Sequence, residues 1–187
     1  MPTPFPLQRT ARLVVRAVEP EDASAHFAYA SDPEVSRYMR WDTFTELAQS
    51  EAWAKEGAAN AAAGRLRPLA IALPEGRLIG HIALSWHGPE THILEMGYAL
   101  GRAFWGQGYV VEAAAALLGW ALRERGVLRL QARCFQENGA SARVLEKLGF
   151  VREGLLRARG LKAGQPVDQY LYALLATDPA ARSLAGR

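Results

Sequence analysis

The stretch from Glu95 to Arg125 constrains the fold more tightly than any other part of the chain. It passes from an extended to a helical pattern through glycines at a fixed spacing. Glu95-Met-Gly-Tyr-Ala-Leu100 reads as the end of a strand, and Gly101-Arg-Ala-Phe-Trp-Gly-Gln-Gly-Tyr109 follows it. From Gly108 to Arg125 the apolar positions Val110, Ala114, Leu117, Leu118 and Ala121 recur at helical spacing. Glycines between a strand and a helix start let the backbone come close to a ligand and present N–H groups to an anion, for which a diphosphate is suited. No Gly-Lys-Ser/Thr follows, which excludes a P-loop, and the third glycine of a dinucleotide fingerprint is replaced by Val111. Taken alone, the two glycines describe a plain structural turn as readily as a binding loop.

Around this segment, strand patterns fall at Arg12–Val18, Arg67–Leu73, Arg77–Trp86 and Thr91–Leu100, with turns at Pro74-Glu75-Gly76 and Gly88-Pro89-Glu90. Helices are expected from Pro20 to about Tyr29, broken by Ser31-Asp32-Pro33, and from Glu46 to Ala63. Leu128, Leu130, Ala132 and Cys134 alternate with arginines and glutamine, as on a half-buried strand. Asn138 opens a helix with Leu145 and Leu148 inward and Gly149 past its end. Phe150–Arg159 and Val167–Ala176 complete a strand pair. Strand-helix-strand-helix in the second half requires at least one parallel crossover.

The 187 residues, half of them hydrophobic, suit one domain with a real core. No apolar run approaches membrane-spanning length. The proline-rich opening is unlike a signal peptide, and a single cysteine, Cys134, suits a reducing compartment, so the cytoplasm is expected. The net charge of +3 is scattered; Arg123, Arg125, Arg129 and Arg133 read mainly as solvated surface, and no direct nucleic-acid binding is expected. His87 and His92 flank a turn but lack a third ligand, so no metal site is expected.

Glu95-Met-Gly-Tyr-Ala-Leu with Phe104-Trp-Gly-Gln-Gly-Tyr-Val-Val-Glu-Ala113 resembles the acetyl-CoA motif of the GNAT superfamily. Asn138-Gly-Ala-Ser-Ala-Arg-Val-Leu-Glu-Lys-Leu-Gly-Phe150 is similar to its second signature. Arg12-Leu-Val-Val-Arg16, Asp32-Pro-Glu-Val35, Glu153-Gly-Leu-Leu-Arg157 and Asp168-Gln-Tyr-Leu-Tyr172 resemble the RimJ/RimL branch, the ribosomal-protein N-terminal acetyltransferases. The resemblance implies an α/β (α+β) GNAT fold. Its mixed sheet has about six or seven strands, splayed at a cofactor cleft, with about four flanking helices. The implied domain covers residues 11–176, with an N-terminal extension at 1–10 and a C-terminal tail at 177–187. It further implies acetyl-CoA as cofactor and an acceptor amine as partner, and relatives are often homodimers; the short apolar runs predict no membrane association.

Residue by residue, the resemblance places the pantetheine arm against Tyr98, Ala99 and Leu100, with the Tyr98 N–H facing the thioester carbonyl. It places the diphosphate on Trp105, Gly106, Gln107, Gly108 and Tyr109. Asn138 would bond the arm and cap its helix, and Arg143 and Lys147 would meet the adenosine phosphates or remain solvated. Ala103 stands where the family has Gln or Arg. The tyrosine acid of many members is replaced by Leu145, and Ser141 matches the serine of RimL-type enzymes, or is a locally bonded helix residue. For the base, Arg133 and Gly160 stand where relatives carry acids, and Glu95 remains. The acceptor pocket would be formed by Tyr38, Met39, Arg40, Trp41 and Phe44 facing the loop from Gly160 to Gln165, although these aromatics also suit lid packing.

A weak base favours an α-amine, with pKa near 8, over lysine near 10.4. Three functions remain open at this point: protein N-terminal acetylation, acetylation of a small amine (polyamine, amino acid or antibiotic), and a non-catalytic acyl-CoA-binding module.

Overall fold

The computed structural model describes residues 7–87 and 92–186. Met1–Pro6 of the expected extension and the Gly88-Pro89-Glu90 turn lie outside them. The strands are β1 (Gln8–Arg9), β2 (Val14–Ala17), β3 (Leu69–Ala72), β4 (Leu78–Trp86), β5 (Ile93–Leu100), β6 (Arg129–Phe135), β7 (Val151–Lys162) and β8 (Gln165–Leu175). The helices are α1 (Ala23–Ala30), α2 (Pro33–Ser36), α3 (Leu47–Ala62), α4 (Tyr109–Glu124), α5 (Gly139–Lys147) and α6 (Pro179–Ala185). The strands form one sheet in the order β1-β2-β3-β4-β5-β6-β8-β7. Every neighbouring pair is antiparallel except β5 and β6, whose parallel pairing requires the α4 crossover.

The residue patterns account for the elements. β3 is an uninterrupted buried apolar run, whereas β4 and β6 alternate, with Ile82, Leu84, Leu130, Ala132 and Cys134 inward. α4 turns Val110, Ala113, Ala114, Leu117, Leu118 and Ala121 into the core. A second, smaller cluster under α1 and α3 gathers Val18, Tyr29, Val35 and Ala54. Glu46 caps α3 through a reciprocal box with Gln49.

Two segments depart from the sequence reading. The last ten residues, expected as a tail, contain α6, which buries Ala181 and Leu184 against α4. Part of the expected N-terminal extension is β1, paired with β2. Neither was legible because each is short and gains its order from a tertiary partner. The last hairpin is also longer than expected. Its turn is the two residues Ala163 and Gly164, both at positive φ (48° and 75°), which suits the twist of tight hairpins.

The sheet's register builds the cleft. Gly101 donates to Ile79 and His87 donates to Ile93 across β4 and β5, so bonded pairs alternate and the Ile82–Tyr98 pair is a non-bonded one. The Tyr98 N–H and C=O therefore point toward β6. Pairing with β6 ends at Met96–Ala132, so these groups face the gap where the two strands part.

Seating of α6 depends on Gly119, where an added Cβ would lie 2.5 Å from the Leu184 carbonyl oxygen. Gly119→Val should cost about 2–3 kcal/mol. For a chain of this size the Tm should fall by roughly 4–10 °C. An unchanged melting curve would mean that α6 does not pack there.

Candidate active site

A cavity of about 450 Å³ opens where β5 and β6 separate. It brings together residues far apart in sequence: Glu95 and Tyr98 from β5, Asn138 and Ser141 from the start of α5, and Tyr38, Arg40 and Trp41 from the loop after α2. Ala99 and Leu100 are buried on β5. The glycine loop, Arg143 and Lys147 lie outside the cavity wall, and the latter two are exposed on α5. Gly97 borders open space in the cavity, since a Cβ built there meets nothing within 4 Å.

At the inner end, the Tyr98 and Ser141 hydroxyls are 2.8 Å apart, and the Tyr98 O–H also lies 3.2 Å from the Ser141 carbonyl, which accepts. Burial pushes the Tyr98 phenol well above its ordinary range, against a smaller opposing effect of the Ser141 bond, so the phenol keeps its proton at neutral pH. Asn138 Oδ1 accepts from the Ser141 N–H at 3.0 Å and so caps α5, leaving its amide nitrogen for other work. Cys134, buried beside this pair, has its thiol pushed up to about 11, first by burial, which suits packing rather than nucleophilic chemistry.

Glu95 is not a free carboxylate. Arg133 donates to its Oε1 through Nε (3.1 Å) and Nη2, and Gln131 donates to Oε2 at 3.0 Å. Burial alone would raise this carboxyl, but the Arg133 and Gln131 bonds and the Arg133 charge outweigh it and hold it below its ordinary value. His87 Nδ1 stands 3.8 Å from the same group. The arginines expected as solvated surface are largely engaged. Arg129 binds Glu153, Arg123 donates to the Ala185 carbonyl, and Arg125 lies over Trp120. His92 turns to the Gly126 carbonyl rather than toward His87, and no metal-holding cluster of three His, Cys, Asp or Glu occurs among the described residues.

The glycine loop is held from two sides. Trp105 Nε1 donates to the Leu100 carbonyl at 2.7 Å, and Gly106 and Gly108 take positive φ (74° and 79°), with Gly108 as N-cap of α4. Arg12 donates to the Gln107 carbonyl at 3.0 Å and pairs with Glu112 at 2.6 Å. Burial raises the Glu112 carboxyl, but bonds from Thr10 and Arg12 overcome this and lower it. The loop carbonyl is thus turned onto Arg12 while the helix amides stay directed outward.

At the mouth, Trp41 packs edge-on against Phe44 and Tyr38 against Phe135, so both aromatics line the cavity and pack as a lid. Lys162, at the tip of the β7–β8 hairpin, donates to the Trp41 carbonyl at 2.9 Å. Sequence reasoning missed His81, which lines the cavity from β4 and shares a 2.9 Å hydrogen bond with the Tyr29 hydroxyl. Burial pushes its pKa down to about 4. It also missed the Tyr98–Ser141 contact and the bonding of Glu95. All three are long-range pairings without a local signature.

Comparison with known proteins agrees with this geometry. The Acetyltransferase (GNAT) domain family model matches residues 12–151. An N-acetyltransferase of Bacillus licheniformis, p20, is 33% identical over 167 residues, covering 89% of this chain and 94% of that one. The ribosomal protein uS5-alanine N-acetyltransferase of Escherichia coli is 32% identical over 87 residues, 46% of this chain and 45% of that one. A GNAT-family acetyltransferase from Bacillus anthracis superposes with a TM-score of 0.84 at 29% identity, covering 92% of this chain and 100% of that one. RimL, a ribosomal-protein α-N-acetyltransferase solved with coenzyme A, shares the fold at a TM-score of 0.81 and 19% identity, covering 91% of this chain and 98% of that one. Among the described residues no helix is long and apolar enough to cross a membrane. The chain belongs to the GNAT family of N-acetyltransferases.

Proposed function

We propose that this N-acetyltransferase moves an acetyl group from acetyl-CoA to the α-amine of a protein N-terminus. The observation that carries this reading is the bonding of Glu95. Among the described residues, the one carboxylate lining the cavity is held by Arg133 and Gln131 with a lowered pKa, and is poorly suited to take a proton from an amine. An α-amine, with a pKa near 8, is partly neutral at physiological pH and needs little help, whereas a lysine amine near 10.4 needs a base. The partial likeness to the Escherichia coli alanine N-acetyltransferase supports the same choice.

The residues fit acetyl-CoA. The exposed backbone of Tyr98, with Ala99 and Leu100 behind it, suits the pantetheine arm, and Asn138 retains an amide donor for it. The amides from Trp105 through Gly106, Gln107 and Gly108 to Tyr109 open a 16-residue helix and suit a diphosphate, with Arg143 and Lys147 available on the neighbouring α5. When bound, acetyl-CoA supplies an activated acetyl thioester. The Tyr98 N–H would steady negative charge on the thioester oxygen. The Ser141 hydroxyl would give its proton to the departing sulfur and recover one, through solvent, from the amine as it is acylated, while the Tyr98 phenol keeps its own proton and holds Ser141 in place. Tyr38 and Trp41 flank the incoming chain.

Three outcomes test this reading. Ser141→Ala should lower kcat about 10²-fold while acetyl-CoA affinity, read by calorimetry, stays nearly constant; unchanged turnover would remove Ser141 from the reaction. At neutral pH a peptide with a free N-terminus should be acetylated, whereas the same peptide with a blocked N-terminus and an internal lysine should not; the reverse order would overturn the α-amine assignment. Arg133→Gln should raise the Glu95 pKa, followed by NMR titration, and cost about 1–3 kcal/mol of stability at neutral pH. Because the folded pKa of Glu95 is depressed, the Arg133 contribution is present above the ordinary carboxyl range and lost as pH falls through the lowered value. The difference in stability between variant and parent should therefore shrink on acidification; a difference independent of pH would mean the two side chains are not coupled.

A further inference from the structure

The cavity carries an unbalanced charge. Arg40, Arg67 and Arg133 line it, and among the described residues Glu95 is the one carboxylate that does. Arg133 is satisfied by Glu95, but Arg40 and Arg67 have no carboxylate partner among the described residues, and both are exposed. His81, on the same wall, is neutral at physiological pH and adds no charge. The wall therefore holds two uncompensated guanidinium groups within a concave surface that focuses their field. Such a field has two effects. It disfavours the ammonium form of an entering amine, promoting the neutral nucleophile without a dedicated base. It also penalises an acceptor that carries further positive charge and rewards one that carries a carboxylate, which a guanidinium fork binds in two-point fashion.

We propose that the acceptor is an amine with a carboxylate close by, namely a peptide N-terminus whose first or second side chain is acidic, with Arg40 and Arg67 as its anchors. This rests on the α-amine reading and narrows it. A free acidic amino acid offers the same chemistry from a second source, so the experiment includes both.

Steady-state kcat/KM would be measured on the full chain with acetyl-CoA, using C-terminally amidated peptides that differ only at the second position as Asp, Asn or Lys. Free glutamate and 1,4-diaminobutane complete the panel. The expected order is Asp above Asn above Lys, with Asp over Asn by about tenfold, roughly the worth of one charge-assisted contact, and a ratio that declines with added salt. In the Arg40→Gln, Arg67→Gln double variant the Asp-to-Asn ratio should collapse to about one. Equal rates across the peptides, a preference for Lys, or an unchanged ratio in the double variant overturns the proposal. Should no peptide react, glutamate turned over without diaminobutane retains the anion requirement and removes the peptide reading. Diaminobutane turned over ends both, as does a lack of turnover with every amine.

Discussion

The site depends on the parting of one parallel strand pair. Two neighbouring strands in a sheet normally consume each other's backbone groups, and a buried N–H left without a partner costs free energy. In this chain β5 and β6 pair from Ile93–Arg129 to Met96–Ala132 and then separate, while β4 holds β5 in register as far as Gly80–Leu100. The consequence is a short length of strand, fixed on one edge and open on the other, that offers the Tyr98 N–H and C=O to a guest. β8 continues to pair with β6 through Phe135–Gln169, so the far wall is equally rigid. The cleft is therefore maintained by the pairings outside it and needs no ligand to hold it open.

That rigidity explains how few polar side chains the chemistry requires. A backbone donor already aligned on strand β5 is not reorganised at the moment of reaction, which is the main source of its value. The Tyr98 side chain, on the same residue as that N–H, reaches Ser141 on α5 and ties the cleft's floor to the helix whose cap is Asn138. Glu95, three residues earlier on β5, is taken up by Arg133 and Gln131. On the proposed reading a positive wall stands in place of a base, and an acceptor with a low ammonium pKa suits that arrangement.

Much of this fold was legible in the sequence, and the limits are physical. Gly106 and Gly108 announced the loop because positive φ values before a helix leave few other residue types at ease. Asn138 announced α5 because a side-chain oxygen at that position satisfies the Ser141 N–H. Strand ends were misjudged by a few residues, since pairing partners decide them. α6 was read as a tail because seven residues carry too little helical preference to stand without the notch at Gly119. In the site, Ser141, Asn138, Glu95 and the aromatic loop were expected from the family resemblance, and the structure brings them to one cavity. Their actual relations were not, because the Glu95–Gln131 register and the Tyr98–Ser141 contact are properties of the closed sheet. His81 had no signal at all, as an isolated histidine on an alternating strand looks like any other polar position.

The structure also divides its labour between rigid and adaptable parts. The groups proposed to face the cofactor lie on β5, the start of α4 and the start of α5, each fixed by core residues such as Leu94, Leu117 and Leu145. The groups proposed to face the acceptor lie on the loop from Tyr38 to Phe44 and on the β7–β8 hairpin, which Lys162 joins through the Trp41 carbonyl and Asp42. Loops of this kind tolerate substitution far better than a paired strand. Arg40 can therefore change without disturbing the register that creates the cleft. On the proposed reading, acceptor choice is thus separable from acetyl transfer in this fold, with Arg40 on the loop and Arg67 just before β3 expressing that choice.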